Sequence, residues 1–542
     1  MRARSLPLVS TFALIFCAIF LAHAPLLRLP YYWDEAGYYV PAAHDLLQTG
    51  ALIPHSVPSN AHPPLVMAWL ALWWKLSGFV PAVTRTAMLL LAALGLTAVF
   101  RLAHSVMNPG VAVAATLCTA LYPVFFAQSS MAHVDIAAAA LGLWGLAFFI
   151  EDRRVPCVAA FSLAVLAKET AVLVPVTLAL WEIGWWMAER LGRVRSAIAP
   201  RQRAGWESLA LLLVPSAVLS AWFAYHYHRT GYVFGNPEFF RYNVSATLQP
   251  VRILLATLRR LWQVTGYMNL FVLTVAGALA MMLPPLPEPA AAVGPVTRPR
   301  ILPHIQAIFA LVVLAHVFAL SLIGGAVLAR YMLMAVPLVI ILCVSTLRRR
   351  VRGWPAIIAL VCAAFLLGLF VNPPYRFPME DNLAYRDYVL LHKSAADFLS
   401  AHHATARVLT AWPATNELEK PYLGYVKSAV PVVPVEDFSA PQIARAAHDT
   451  SLFDVAYVFS TKYEAPSQPA LLRWWERTQE PYFDYHRDLP PGLIARALRG
   501  RIVWQQERKG QWAAVIALER VENAEKERGP GFRVAIYDGS EP

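Results

Sequence analysis

The sequence predicts a polytopic α-helical membrane protein with about 11 transmembrane helices and a C-terminal α/β domain, and three observations predict it. Of the 542 residues, 58% are apolar and 15% charged, with mean hydropathy +0.48. Soluble globular chains average roughly 45–50% apolar and 25% charged. Apolar runs near the roughly 20 residues needed to cross a bilayer recur at 6–29, 84–104, 110–128, 135–151, 155–168, 170–188, 207–226, 264–284, 304–323, 331–347 and 354–371. The short connections between them hold Arg101, Arg153–Arg154, Arg190 through Arg203, Arg298–Arg300 and Arg348–Arg352 on a single side, as positive-inside topology requires.

The first run follows Met1-Arg2-Ala3-Arg4 and contains Ala22-His23-Ala24, which imitates a signal-peptide cleavage site. Pro25 would block the peptidase, and the run continues through Leu27, so it reads as a retained helix with a cytoplasmic N-terminus. An odd span count then places the C-terminal region outside. Residues 30–83 form a long outer loop. Ala36, Tyr39, Val40, Ala43, Leu46 and Leu47 repeat with a helical period, and 65–77 is apolar, too short to span and rich in Trp. Both read as juxtamembrane helices. The segment 250–263 carries Arg252, Arg259 and Arg260 on the supposed outer side. Its period of Val251, Leu254, Leu255, Leu258 and Leu261–Trp262 predicts an amphipathic helix lying on the membrane.

From about Asn372 the composition turns soluble, which divides the chain into a membrane region, 1–371, and an extracytoplasmic domain, 372–542. A helical pattern at 383–402, a strand at 407–411, a helix at 441–448 near Ser439, a strand at 453–460 and a helix at 468–478 alternate. A hairpin, 501–508 and 511–519, turns at Lys509-Gly510. Alternation of this kind predicts an α/β domain. Much of the +12 net charge lies in inter-span Arg clusters, which weakens a nucleic-acid reading, and the five cysteines lie in apolar runs without disulfide or metal spacing.

Carboxylates beside apolar spans are informative because desolvating them is expensive. Asp34-Glu35 follows the first span, and Asp135, with His133, opens the fourth. His62, Lys168 and Arg330 fall on the same side. Each also has a plain structural reading. Asp34 and Asp135 suit helix caps, and Lys168-Glu169 a local ion pair. Arg330 suits a contact with lipid headgroups, and His62 before two prolines suits loop punctuation. Together on one face they suit a phosphate-bearing lipid and a hydroxyl acceptor. A carboxylate takes the acceptor's proton, and cations stabilise the departing phosphate. One such displacement inverts the anomeric centre and requires no cofactor.

The order Trp33-Asp34-Glu35 to Tyr38, then His62-Pro63-Pro64-Leu65 with an aromatic-rich helix ending at Gly78, then Arg85, resembles the first outer loop of the GT-C glycosyltransferases. The nearest pattern is that of the protein mannosyltransferase and aminoarabinose (lipid A) transferase group and its bacterial polyprenyl-phosphate-sugar relatives. Asp135 before an Ala/Leu/Phe helix, Ala167-Lys168 before Pro175, and Arg330-Tyr331 before Pro337 extend the resemblance over about residues 1–350. It implies a GT-C-like fold and an inverting transferase in the bacterial inner membrane. Such an enzyme moves a sugar from a polyprenyl-phosphate carrier to a glycan, glycolipid or protein acceptor.

By position, Asp34 becomes the base, Glu35 its support and Asp135 a second acidic residue. His62, Arg85, Lys168, Arg330 and Tyr331 become donor contacts, and Asp135 with His133 offers ligands for an optional divalent cation. Two residues depart from the pattern. The aminoarabinose transferases have Lys-Pro-Pro where this chain has His62-Pro63-Pro64, and Lys-Gly is usual where it has Lys168-Glu169. The rival readings are a secondary transporter, which usually places ionisable groups at the midplane with inverted repeats, and a membrane-anchored binding protein.

Overall fold

The computed structural model describes residues 8–191, 206–237, 249–288, 296–323, 325–465, 467–483 and 485–519. Among them, six helical segments are long and apolar enough to cross a membrane: Leu8–Leu26, Pro81–Val106, Glu169–Arg190, Trp206–Thr230, Pro250–Met281 and Pro303–Leu322. The other five expected spans coincide with shorter helices. These are Pro109–Leu121 (continued by Pro123–Gln128), Val134–Ile150, Arg154–Ala167, Val336–Arg350 and Trp354–Phe370. Proline at the first helical positions starts several of them, where its missing N–H costs nothing. Asn108 caps Pro109–Leu121, its side chain accepting from Val111 N at 3.1 Å.

The Arg-bearing connections are neighbours. Arg101 binds Glu151, Arg154 lies 3.6 Å from Glu207, and Arg298 donates to the Arg348 carbonyl. The Arg cluster beyond Leu191, up to Arg203, and the chain after Glu519 lie outside the described residues.

The first loop differs from expectation in one respect. A π-helical turn, Glu35–Tyr39, leads into the helix Val40–Thr49, and residues 35–43 are buried in the protein rather than laid along a surface. The second helix, Leu65–Ser77, is as expected. Pro250–Thr265 is the amphipathic helix, but its basic face turns inward. Arg252 donates to Gly325 O, Arg260 to Leu320 O and Ala326 O, and Gln263 to Val327 O. Val251, Leu254, Leu258 and Trp262 are exposed. Carbonyls of the segment leading to Arg330 thus occupy the cations that broke the charge pattern.

The chain forms two compact units. Of the described residues, one unit holds those up to Val389 plus Lys462–Tyr485, and the other those of Leu390–Thr461 and from His486 to Glu519. The expected boundary at 372 therefore differs from the compact one. Tyr385 and Tyr388 pack edge-on to Tyr32, with ring centroids 6.0 and 5.1 Å apart, which ties residues up to 389 to the first loop. The helix Ala470–Gln479 also belongs to the first unit. Arg376 holds Glu476 and Glu480 at 3.2 and 2.8 Å, and Arg259 donates to Gln479.

The second unit holds a five-stranded sheet: β1 (Val408–Ala411), β2 (Val432–Val435), β3 (Val455–Phe459), β4 (Gly500–Arg508) and β5 (Gln511–Leu518). Its order is β2-β1-β3-β5-β4, with β1 parallel to β2 and β3, and the β4–β5 hairpin completing it antiparallel. Fully buried strands such as β1 and β3 need two covered faces, and their apolar runs are what made them legible.

Candidate active site

One guanidinium organises the site. Arg330 sits in a 3-10 turn, Ala329–Met332, between two apolar helices, and its side chain is 4% exposed. It donates to Asp34 Oδ2 at 2.5 Å, to Glu380 Oε2 at 2.9 Å and to His133 Nδ1 at 3.1 Å, and lies 3.5 Å from Asp135 Oδ2. Asp135, in the first turn of Val134–Ile150, also accepts from Lys168 Nζ at 2.6 Å. Lys168 in turn sits 3.8 Å from the centre of the Tyr331 ring. Five segments remote in sequence therefore meet at helix ends rather than within spans.

The plain readings of these residues do not hold. Asp34 precedes the π turn, yet its side chain makes no cap bond and goes to Arg330. Asp135 is not the N-cap of its helix; His133 occupies that position. Lys168 pairs with Asp135, while Glu169 takes His62. Arg330 is enclosed by carboxylates rather than extended toward lipid headgroups.

Glu35 and Arg85 form a separate, interior pair. Arg85 donates to Glu35 Oε1 at 2.5 Å, to Ser130 O and to Pro30 O, and Glu35 also accepts from Tyr32 N and Ala132 N. Their side chains are 1% and 0% exposed. Buried with these partners inside the protein, neither is placed to touch a substrate. The pair instead pins the turn that presents Asp34 against the 130–132 segment. His62 lies apart from Arg330, its ring stacked beside Tyr39 at 5.9 Å, and Tyr39 reaches His133 at 5.7 Å.

Glu380 is the residue the sequence reading missed. It lies in a short 3-10 turn, Met379–Asp381, beyond the last apolar helix. Burial raises its carboxyl to about 8, helped by Asp34, Asp381 and Asp135 and opposed by Arg330. Asp381, accepting from Tyr267 OH at 2.6 Å, is raised by burial to about 7. Burial, then Arg330, lowers His133 well below its ordinary value, so it is neutral. One guanidinium facing three carboxylates cannot neutralise all of them, and Glu380 is the member whose carboxyl is raised far enough to hold a proton.

Asp34, His133 and Glu380 bring donor atoms within 4.8 Å of one another, a set able to hold a divalent ion. Asp135, expected beside His133 in such a set, is not among these three. Glu380 Oε1 and His133 Nε2 are buried without a hydrogen-bond partner among the described residues, which fits a cation beside Arg330.

The described residues form a helical fold with six helices long and apolar enough to cross a membrane, and the chain resembles the GT-C glycosyltransferases in that fold. A family model described as dolichyl-phosphate-mannose-protein mannosyltransferase matches residues 61–199, well under half of the chain. Among solved structures, ArnT from Cupriavidus metallidurans in the apo state superposes with TM-score 0.50 at 14% identity, over 97% of this chain and 100% of that one. The same protein bound to undecaprenyl phosphate gives TM-score 0.50 at 12% identity, over 94% and 97%. None of the curated proteins matches the chain by sequence.

Proposed function

We propose that the protein is an inverting glycosyltransferase. It moves a sugar from a polyprenyl-phosphate carrier to a hydroxyl acceptor at the outer face of the cytoplasmic membrane. The observation that carries this reading is the Arg330 cluster, in which two cations adjoin three carboxylates and Asp34 is the most exposed of the three, at 25% against 3% and 5%. Undecaprenyl phosphate bound to ArnT, which shares this fold, supports the donor class.

In this reading the donor phosphate engages Lys168 and Arg330, with Tyr331 beside them. Drawing Arg330 toward phosphate frees the Asp34 carboxylate to accept the acceptor's hydroxyl proton. The acceptor oxygen then bonds to the anomeric carbon as the bond from that carbon to the phosphate oxygen breaks. The electron pair leaves on the phosphate, which the two cations stabilise. Asp135 holds Lys168 and Arg330 in position, and Glu35 with Arg85 fixes the backbone of the Asp34 turn. No cofactor is needed. A divalent cation held by Asp34, His133 and Glu380 would supply further positive charge near the phosphate. A transporter would place such groups at mid-span, whereas these lie at helix ends.

The test is mass spectrometry of envelope glycolipids, glycans and glycoproteins from cells with and without the gene. Loss of one sugar from one class of product is the expected result. Unchanged products alongside a changed solute uptake would favour the transporter.

A further inference from the structure

The two departures from the family pattern are 107 residues apart and meet in one contact. His62 Nδ1 lies 2.8 Å from Glu169 Oε2, with the side chains 11% and 28% exposed. Each departure accounts for the other. A carboxylate beside Lys168 needs a partner, and an imidazole supplies one without adding the permanent charge that a lysine would bring.

The position is built into the fold rather than left to a mobile surface chain. Ala61, just before His62, adopts a left-handed backbone with φ 60°, a conformation unfavourable for a residue with a Cβ. Its carbonyl accepts from Trp222 Nε1 at 2.9 Å, and Ser59 Oγ lies 2.9 Å from His226 Nε2. Asn60 Oδ1 accepts from His62 N at 3.2 Å. On the other side Glu169 opens a 3-10 turn directly after Lys168, whose extended backbone separates two helices.

We infer that His62 and Glu169 act as one recognition element for hydroxyl groups of the transferred sugar. The inference rests on the donor reading above. A carboxylate one residue from Lys168 repels phosphate oxygens but accepts strongly from O–H donors. The hydroxyls nearest a phosphate on Lys168 are those of the sugar it carries. Asp135 and the Tyr331 ring position Lys168 for the phosphate, while the carboxylate of Glu169 beside it favours a hydroxyl-bearing sugar over an acidic one.

The experiment uses the full chain in membranes and two readouts: affinity for undecaprenyl phosphate, which carries no sugar, and product formed in cells, measured by mass spectrometry. Glu169→Gln retains an oxygen toward His62 but removes a charge that His62 and Lys168 hold in place, so its heat stability should fall below the parent's and both readouts are taken below its unfolding midpoint. Its product should fall at least about tenfold, the scale of a lost charge-assisted bond, while carrier affinity stays within about threefold. The double variant His62→Lys with Glu169→Gly should bind the carrier more tightly and still make little product. Single changes at 62 and 169 should be non-additive, as for groups acting through one contact. A double variant with parental product overturns the inference, and so does carrier affinity that falls in step with product in Glu169→Gln. A parent that fails to bind undecaprenyl phosphate refutes the donor reading itself and removes the basis of the inference.

Discussion

Replacing Glu380 with glutamine isolates the most unusual charge in the site. Its carboxyl is raised from 4.5 to about 8, chiefly by burial. Between those values the folded protein holds a proton there that the unfolded chain releases. Stability from this group is therefore complete below about pH 4.5 and drains away as pH rises toward 8. Each unit of pH in that window is worth about 1.4 kcal/mol, so raising the pH from 6 to 9 costs the parent about 3 kcal/mol at this residue. Asp381, raised to about 7, adds a smaller loss over the lower part of the same range in both proteins. Glutamine mimics the protonated side chain and keeps an oxygen for Arg330. Heat unfolding of detergent-solubilised protein, followed at pH 6, 7.5 and 9, should show the midpoint of the parent falling more steeply than that of Glu380→Gln, with the curves closest at pH 6. Parallel curves would refute the claim that this carboxyl holds a proton in the fold. A steeper fall in the variant would reverse the sign and refute the electrostatic account of the cluster.

Three further outcomes follow from the same geometry. Arg330→Gln strips the shared partner from three carboxylates and should weaken binding of undecaprenyl phosphate as well as turnover, read by binding and transfer assays on the same preparation. Arg85→Met leaves Glu35 buried and uncompensated. It should cost about 3–5 kcal/mol of stability, seen as lost protein in membranes, whereas a role in donor contact predicts normal protein with poor binding. A topology reporter fused after Pro542 should be active only outside the cytoplasm, and one near Arg195 only inside; a cytoplasmic signal after Pro542 would contradict the outer-face assignment.

Much of the fold was legible because its signals are local. The hairpin at 500–518 follows from two β-rich runs and a Lys-Gly turn, and the long spans follow from apolar length. Asp34, Asp135, Lys168 and Arg330 were legible as a group because each stands at the edge of an apolar run, and the same topology put all four on one face. What the sequence could not show is who partners whom. Glu35 reads like Asp34 until Arg85, 50 residues on, occupies it. Arg252 and Arg260 read as surface charges until the carbonyls of Leu320, Gly325 and Ala326 take them inside. Glu380-Asp381 did carry a usable signal, being a carboxylate pair just beyond an apolar span, as Asp34-Glu35 is. The soluble composition after 372 hid it, because composition averages over residues whereas compactness is set by contacts such as those of Tyr385 and Tyr388 with Tyr32.

The most direct test of the central claim is the turnover of Asp34→Asn in purified protein, with protein level and carrier binding measured alongside. Asparagine keeps the shape and an oxygen near Arg330 but cannot take a proton from an acceptor. The account predicts at least about a hundredfold loss of turnover, the lower range for removal of a general base, with undecaprenyl phosphate bound nearly as in the parent. An Asp34→Asn enzyme that transfers sugar at the parental rate would contradict it.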